Sequence, residues 1–141
     1  MKHIVFQLCE CSQVSGIYDP VSNVKREIAE FLGWLQTSGI GAADGYNTFL
    51  LHEEACHAVL SSCYPSYQQA LQRLQSFTEE QFVWAHHDLE NALIDLKFSL
   101  ADPSGYWIAL ENHEAIPFAW FLRIAEKNQP YTIHSVVYQY D

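Results

Sequence analysis

The spacing of apolar residues predicts strands at both ends of the chain and about five helices between them. In residues 2–9 apolar and polar positions alternate, as in a half-buried strand. Asp19-Pro20 combines a preferred N-cap with proline at the first helical position, so we expect the first helix to begin there and to end at Ser38-Gly39. Its apolar stripe has three- and four-residue spacing: Val21, Val24, Ile28, Phe31 and Leu35.

Two further helices are expected in the middle of the chain. The glycine-rich residues 39–45 are interpreted as a flexible connector, followed by a helix over residues 46–63. This helix must end near Tyr64-Pro65, because proline disfavours a helical residue before it. Ser66 and Gln69 match a capping box, which predicts a short third helix.

The clearest local signal is a second capping box, Thr78 with Gln81, flanked by Phe77 and Phe82 in the positions of a hydrophobic staple. The helix it starts is predicted to reach about Leu100. One face collects Phe82, Ala85, Leu89, Ala92, Leu93, Leu96 and Leu100, and a second collects Val83, Ile94 and Phe98. A helix that is apolar on two sides is usually central to its fold, so we expect this one to be buried.

The C-terminal part predicts one more helix and a strand-rich tail. Residues 106–110 form a short apolar run that fits either a buried strand or a helical turn. Pro117 opens the last helix, and residues 131–140 are rich in strand-forming residues. The expected fold is therefore a helix-dominant α+β domain spanning residues 1–141, with the N- and C-terminal strands in a small sheet.

Charge narrows the choice of partner. The chain has 17 Asp and Glu against 7 Lys and Arg, a formal charge of −10 over 141 residues. Such a surface repels phosphate backbones and anionic lipid, so neither a nucleic acid nor a membrane is expected as partner. The chain carries no recognisable export signal, and its four cysteines are too sparse for a disulfide framework. We therefore expect a cytoplasmic protein with reduced thiols.

Metal binding is the main chemical alternative. The two histidines within residues 52–57 are five apart and diverge around a helix, unlike those of zinc proteases. Glu54 with His57, however, matches the carboxylate–histidine pair found in di-metal helical bundles. The central helix offers only the reverse order, with His86 and Glu90 four residues apart on one face. A structural zinc would instead use Cys9 and Cys11 with His52 and Cys56.

The ordinary interpretation of these residues is structural. His52 shares a predicted apolar stripe with Cys56, where a buried histidine is the commoner outcome. Cys56 and Cys63 lie within a predicted helix of a chain that is poor in cations, which favours inert thiols. No cofactor is expected.

The leading hypothesis is a non-catalytic acidic protein that captures a basic protein partner, as an inhibitor or immunity protein does with a toxin enzyme. Carboxylates would steer the partner and exposed aromatics would anchor it. The expected binding residues are Asp44, Tyr46, Glu53, Glu54, Trp84, Asp88, Glu90 and Trp107. A metal-binding domain or enzyme is the first alternative. The second is a self-associating subunit or adaptor, with Val136, Tyr138 and Tyr140 on an exposed sheet edge.

Overall fold

The computed structural model describes residues 2–8, 17–20, 22–100, 105–110 and 114–140. It confirms a helix-dominant α+β fold, with 52% helix and both terminal strands in a sheet. The elements in chain order are β1 (Lys2–Gln7), β2 (Ile17–Pro20), α1 (Val24–Thr37), β3 (Gly41–Ala43), β4 (Thr48–Leu51), α2 (Glu53–Ser62), α3 (Tyr64–Gln75), α4 (Glu79–Trp84), α5 (His86–Phe98), β5 (Tyr106–Ala109), β6 (Ile116–Pro117), α6 (Phe118–Ile124), β7 (Tyr131–Thr132) and β8 (Ser135–Tyr140).

The larger sheet has the strand order β2-β8-β1-β5-β6. Its central strand β1 pairs antiparallel with β8 and parallel with β5. Val5 and Phe6 point to opposite faces of β1, and both are fully buried. The sheet is therefore covered on both sides at its centre. The apolar run that fitted either a strand or a helical turn forms strand β5.

The main core is aromatic and centres on Phe31 of α1. Its ring lies 4.5 Å from that of Phe6, and also contacts Phe49, Tyr106 and Phe118. The described part of the predicted α1 stripe is confirmed, because Ile28, Phe31 and Leu35 are buried. Val21 lies outside the described residues.

The predicted start of the first helix is wrong. Asp19 and Pro20 end strand β2, which pairs with β8, and α1 begins four residues later. Asn23 caps it, because its Oδ1 accepts a hydrogen bond of 3.2 Å from the Arg26 backbone N–H. Proline is tolerated on an edge strand, where its missing N–H breaks no inner ladder bond. Strand pairing has therefore overridden a valid local capping signal.

The predicted connector and the first turns of the second helix are also wrong. Residues 41–51 form a β-hairpin, with Gly41 opposite Leu51, and α2 begins only at Glu53. Phe49 and Leu51 are fully buried, a two-residue period that belongs to a strand. A Cβ on Gly41 would lie 2.2 Å from the Leu50 carbonyl oxygen, so glycine permits this close pairing.

The two capping-box predictions have opposite outcomes. Helix α3 already begins at Tyr64 with Pro65 in its first turn, so Ser66 is not an N-cap. At Thr78 the box is confirmed: Oγ1 accepts from the Gln81 N–H at 3.2 Å, and Gln81 Oε1 accepts from the Thr78 N–H at 2.9 Å.

The long helix predicted after Thr78 is interrupted, and it is not central. Ala85 has φ −92° and ψ 55°, which ends α4 and separates it from α5. Helices α3, α4 and α5 form a unit that we call the arm (residues 64–98). Within the arm only Ala92 is buried, and no arm residue belongs to the main hydrophobic core. The second predicted apolar face (Val83, Ile94 and Phe98) stays exposed, because no described residue covers it.

Two further points concern the surface. No helix in the described part of the chain is long and apolar enough to cross a membrane. Strand β8 is paired on both sides, by β2 and by β1, and Val136 is buried. The expectation that the tail forms an exposed sheet edge is therefore wrong.

Candidate functional site

The largest group of exposed apolar side chains lies on α4 and α5 of the arm. Trp84 is 81% exposed, Phe82 66% and Phe98 64%. We call the whole set the arm face: Phe82, Val83 and Trp84 on α4, with Leu93, Ile94 and Phe98 on α5. Exposed apolar side chains grouped on one unit mark interaction sites more often than do single exposed residues.

Local sequence explains why α4 presents three consecutive apolar residues. The Thr78–Gln81 capping box fixes the start of the helix, and Glu79 and Glu80 in the first turn favour the positive end of its dipole. The helix then ends at Trp84, after one and a half turns. Three consecutive residues cover most of the circumference of so short a helix, so they cannot all face inward.

On α5 two apolar residues follow a glutamate along one face of the helix. Glu90, Ile94 and Phe98 recur at four-residue spacing and so lie on one face of the helix. Leu93 is three residues after Glu90 and borders the same face. Carboxylate and apolar surface are thus adjacent on α5.

The arm is held together by few interactions. Helix α5 packs on α3 and α4, and α3 meets α2. Arg73 of α3 forms an ion pair with Asp95 of α5, with 45% and 58% of the two side chains exposed. Pairs this exposed contribute at most about 1 kcal/mol. The arm therefore depends on helix–helix contact that buries little apolar surface.

The arm is also acidic. It carries five carboxylates against two cations, and one of those cations, Arg73, is already paired with Asp95. The carboxylates are Glu79, Glu80, Asp88, Glu90 and Asp95. All five are exposed, so they can add to the field around the arm face.

The structure places only some of the predicted partner-binding residues on this surface. Trp84, Asp88 and Glu90 lie on α4 and α5, and all three are exposed. Glu53 and Glu54 lie in the first turn of α2, also exposed. They form a separate acidic pair at a helix start.

The other three predicted residues lie elsewhere. Asp44 and Tyr46 occupy the turn between β3 and β4, and Tyr46 lines an open groove of about 630 Å³ that also includes α1 residues such as Gly33. Trp107 is in β5, half-buried, with its ring centroid 4.4 Å from that of His3. Trp107 is thus partly covered, in contrast to Trp84.

The proposed metal ligands are not brought together. Glu54 and His57 lie on α2, whereas His86 and Glu90 lie on α5. His57 Nδ1 is 3.4 Å from Ser61 Oγ, and His86 Nε2 is 3.6 Å from a Glu90 carboxylate oxygen. Across the residues that the structure describes, no group of three or more His, Cys, Asp or Glu side chains is placed to hold a metal ion.

The zinc alternative loses part of its ligand set. His52 is exposed at the residue before α2, so the expectation of a buried core histidine is wrong. Cys56 is buried in the main core, and burial raises the pKa of its thiol, with Lys127 opposing the shift. A buried, protonated thiol is a poor metal ligand and a poor nucleophile. Cys9 and Cys11 lie outside the described residues.

Comparison with protein-family models, with curated proteins and with solved structures finds no match to this chain. The functional argument therefore depends on the chemistry of the surface itself. Sequence reasoning had identified Trp84 as exposed but had assigned Phe82, Leu93 and Phe98 to the core. The two-sided apolar pattern of residues 78–100 was the signal available, because a helix packed on one side leaves its other apolar side uncovered.

Proposed function

We propose that this protein is a non-catalytic binding protein whose arm face captures a basic protein partner. The observation that carries the proposal is the separation of the arm from the core. The aromatic core is complete without α3, α4 and α5, while the arm exposes six large apolar side chains beside five carboxylates. A cytoplasmic inhibitor or immunity protein that neutralises a basic toxin enzyme fits this combination.

The aromatic residues of the arm face would supply the affinity. Trp and other large aromatics dominate binding energy when a partner buries them at the centre of an interface. Trp84 and Phe82 lie two residues apart at the end of α4, where a partner can approach without displacing core residues. Covering Trp84 would remove about 200 Å² from water, on the order of 5 kcal/mol before the costs of association are subtracted.

The carboxylates would act mainly on the rate of association. Exposed charges around an interface steer an oppositely charged partner, and the effect weakens as salt screens it. The overall charge of −10 adds to the field of the arm at long range. A basic partner is therefore attracted before any apolar contact forms.

Site-specific photocrosslinking tests where the partner binds. The photoreactive residue p-benzoylphenylalanine replaces Trp84, Phe98 or, as a control, Ile124. Ile124 is a matched control because it is 62% exposed but lies on α6, outside the arm face. We expect a basic protein crosslinked at positions 84 and 98 and not at 124. Equal crosslinking at all three positions would contradict the proposal.

A matched pair of charge reversals then tests the electrostatic part with the crosslinked protein. Glu79→Lys with Glu80→Lys changes the first turn of α4, and Glu53→Lys with Glu54→Lys makes the same change in the first turn of α2. We expect the α4 pair to slow association by roughly tenfold at low salt, and the α2 pair to have a much smaller effect. Equal slowing would show that the partner responds to net charge and is not recognised at the arm.

A further inference from the structure

The shape and chemistry of the arm face restrict what the partner presents to it. We infer that the partner contacts the arm face with an amphipathic basic helix, which packs along the row of Ile94 and Phe98 on α5. This inference rests on the proposed function, since it concerns the same surface. It adds the secondary structure of the binding element and its residue pattern.

Backbone chemistry excludes the other common mode of peptide recognition. Strand addition needs unpaired backbone N–H and C=O groups on the receptor, and these occur on sheet edges. Between its two ends, α5 bonds its backbone groups internally; near its start, for example, the Leu89 N–H donates to the Ala85 carbonyl at 3.0 Å. The row of Ile94 and Phe98 on α5 therefore offers a partner mainly side chains.

An extended partner segment would be costly on such a surface. Its own backbone groups would be pressed against Phe98 and Ile94 without hydrogen-bond partners, and each buried unpaired group costs about 1–3 kcal/mol. A helix satisfies those groups internally and presents only side chains. Apolar residues at three- and four-residue spacing can then pack beside the row of Ile94 and Phe98, as ridges pack into grooves.

The charges indicate where the partner helix carries its basic residues. Glu90 precedes Ile94 and Phe98 on the same face of α5, and Asp88 lies in the first turn of that helix, whereas Lys97 lies in its last turn. Lys and Arg at the end of the partner helix that meets the start of α5 would contact these carboxylates. A second copy of this chain would instead bring five more carboxylates against the arm, which like-charge repulsion disfavours.

The length of α5 sets the length of the contact. Thirteen residues span about 20 Å of helix axis, so the matching partner segment is about 13–18 residues long. The mode resembles helix-in-groove recognition, in which apolar anchors recur at positions i, i+3, i+4 and i+7.

A pair of synthetic peptides tests this inference on the full chain. The first has about 18 residues, with Leu at the i, i+3, i+4 and i+7 positions and Lys or Arg elsewhere. The second has the same composition in scrambled order, so its charge is equal but it has no apolar stripe. Binding is measured by isothermal titration calorimetry, and peptide helicity by circular dichroism. We expect the patterned peptide to gain helicity on binding and to bind at least tenfold more tightly than the scrambled one.

Variants connect the binding to the arm face. Ile94→Ser with Phe98→Ser should abolish the preference for the patterned peptide, whereas Ile124→Ser should leave it unchanged. Equal affinity for the two peptides, or binding without a gain in helicity, would overturn the helix inference but not the proposed function, which the crosslinking experiment tests separately. A dimer of the unmodified chain in sedimentation analysis, lost in the Ile94 and Phe98 variant, would also overturn it by making a second copy the occupant.

Discussion

Truncating one aromatic residue of the arm and one of the core should have sharply different effects on stability. The two substitutions are Trp84→Ala on α4 and Phe31→Ala on α1. Trp84 is 81% exposed, whereas Phe31 is fully buried among the rings of the core. If the arm face is exposed in the folded protein, truncating Trp84 should lower the free energy of unfolding less than truncating Phe31, although tryptophan is the larger side chain.

The expected magnitudes follow from the buried area. About 50 Å² of a tryptophan that covers about 250 Å² is shielded at position 84, which at about 25 cal/mol per Å² corresponds to about 1 kcal/mol. This value is an upper estimate, because the unfolded chain also shields part of its apolar surface. Phe31→Ala loses the whole transfer energy and leaves a cavity, so its cost is about 3–5 kcal/mol.

Urea denaturation followed by far-ultraviolet circular dichroism measures both free energies of unfolding. The Trp84→Ala variant should unfold within about 1 kcal/mol of the unsubstituted protein, and the Phe31→Ala variant at a much lower urea concentration. The crosslinked partner should nevertheless bind the Trp84→Ala variant far more weakly. A cost for Trp84→Ala that matches that of Phe31→Ala would refute the reasoning, because α4 would then be packed in a core.

Three other substitutions or conditions test the remaining structural claims. Thr78→Ala removes the side chain that caps α4 and should lower the free energy of unfolding by about 1 kcal/mol, whereas Thr78→Ser should retain most of it; urea denaturation compares them. Gly41→Ala places a Cβ 2.2 Å from the Leu50 carbonyl oxygen, so the strands must shift and the fold should lose about 1–3 kcal/mol of stability, read out by thermal unfolding. Burial raises the pKa of the Cys56 thiol and of the Tyr106 hydroxyl, so the stability that each contributes is complete below its ordinary pKa and is lost as pH rises through the raised value. The free energy of unfolding should accordingly begin to fall as pH rises past 9.0, the ordinary pKa of the thiol, and fall further past 10.0, that of the tyrosine hydroxyl; a constant value through this range would contradict the burial of both groups.

The sequence was sufficient for features that depend on local pattern alone. The stripe of α1, the capping box at Thr78 and the strand at each end of the chain are all present in the structure. In each case the local preference and the long-range contacts agree, since Ile28 and Phe31, for example, also find the core.

The errors occur where strand pairing competes with a helix signal. Asp19-Pro20 is a good helix start, but β8, at the other end of the chain, offers that segment a strand to pair with, and no short window of sequence contains this information. Residues 48–51 fit a helix by composition, yet pairing with β3 and burial of Phe49 make them a strand. That pairing is a local hairpin, which the interpretation of residues 39–45 as a flexible connector missed.

The sequence predicted the negative charge of the candidate site but not its position in the fold. Net charge follows from composition, and Trp84 is among the aromatic residues expected from the sequence to be exposed. The rest of the arm face was assigned to the core because periodicity identifies apolar faces without saying what covers them. Only the structure shows that α1, α6 and the sheets pack around Phe31 with no residue of the arm in the core.

The fold and the proposed binding surface therefore depend on different residues. The core fixes α1, both sheets and α6, whereas Phe82, Trp84 and Phe98 contribute little to it. Helices that bury so little are only marginally stable, so a partner that covered the apolar face of the arm should also increase its order. Substitutions on the arm face should then alter partner choice while the aromatic core remains intact. A protein that must distinguish one basic partner from another benefits from this arrangement, because recognition can change without loss of the fold.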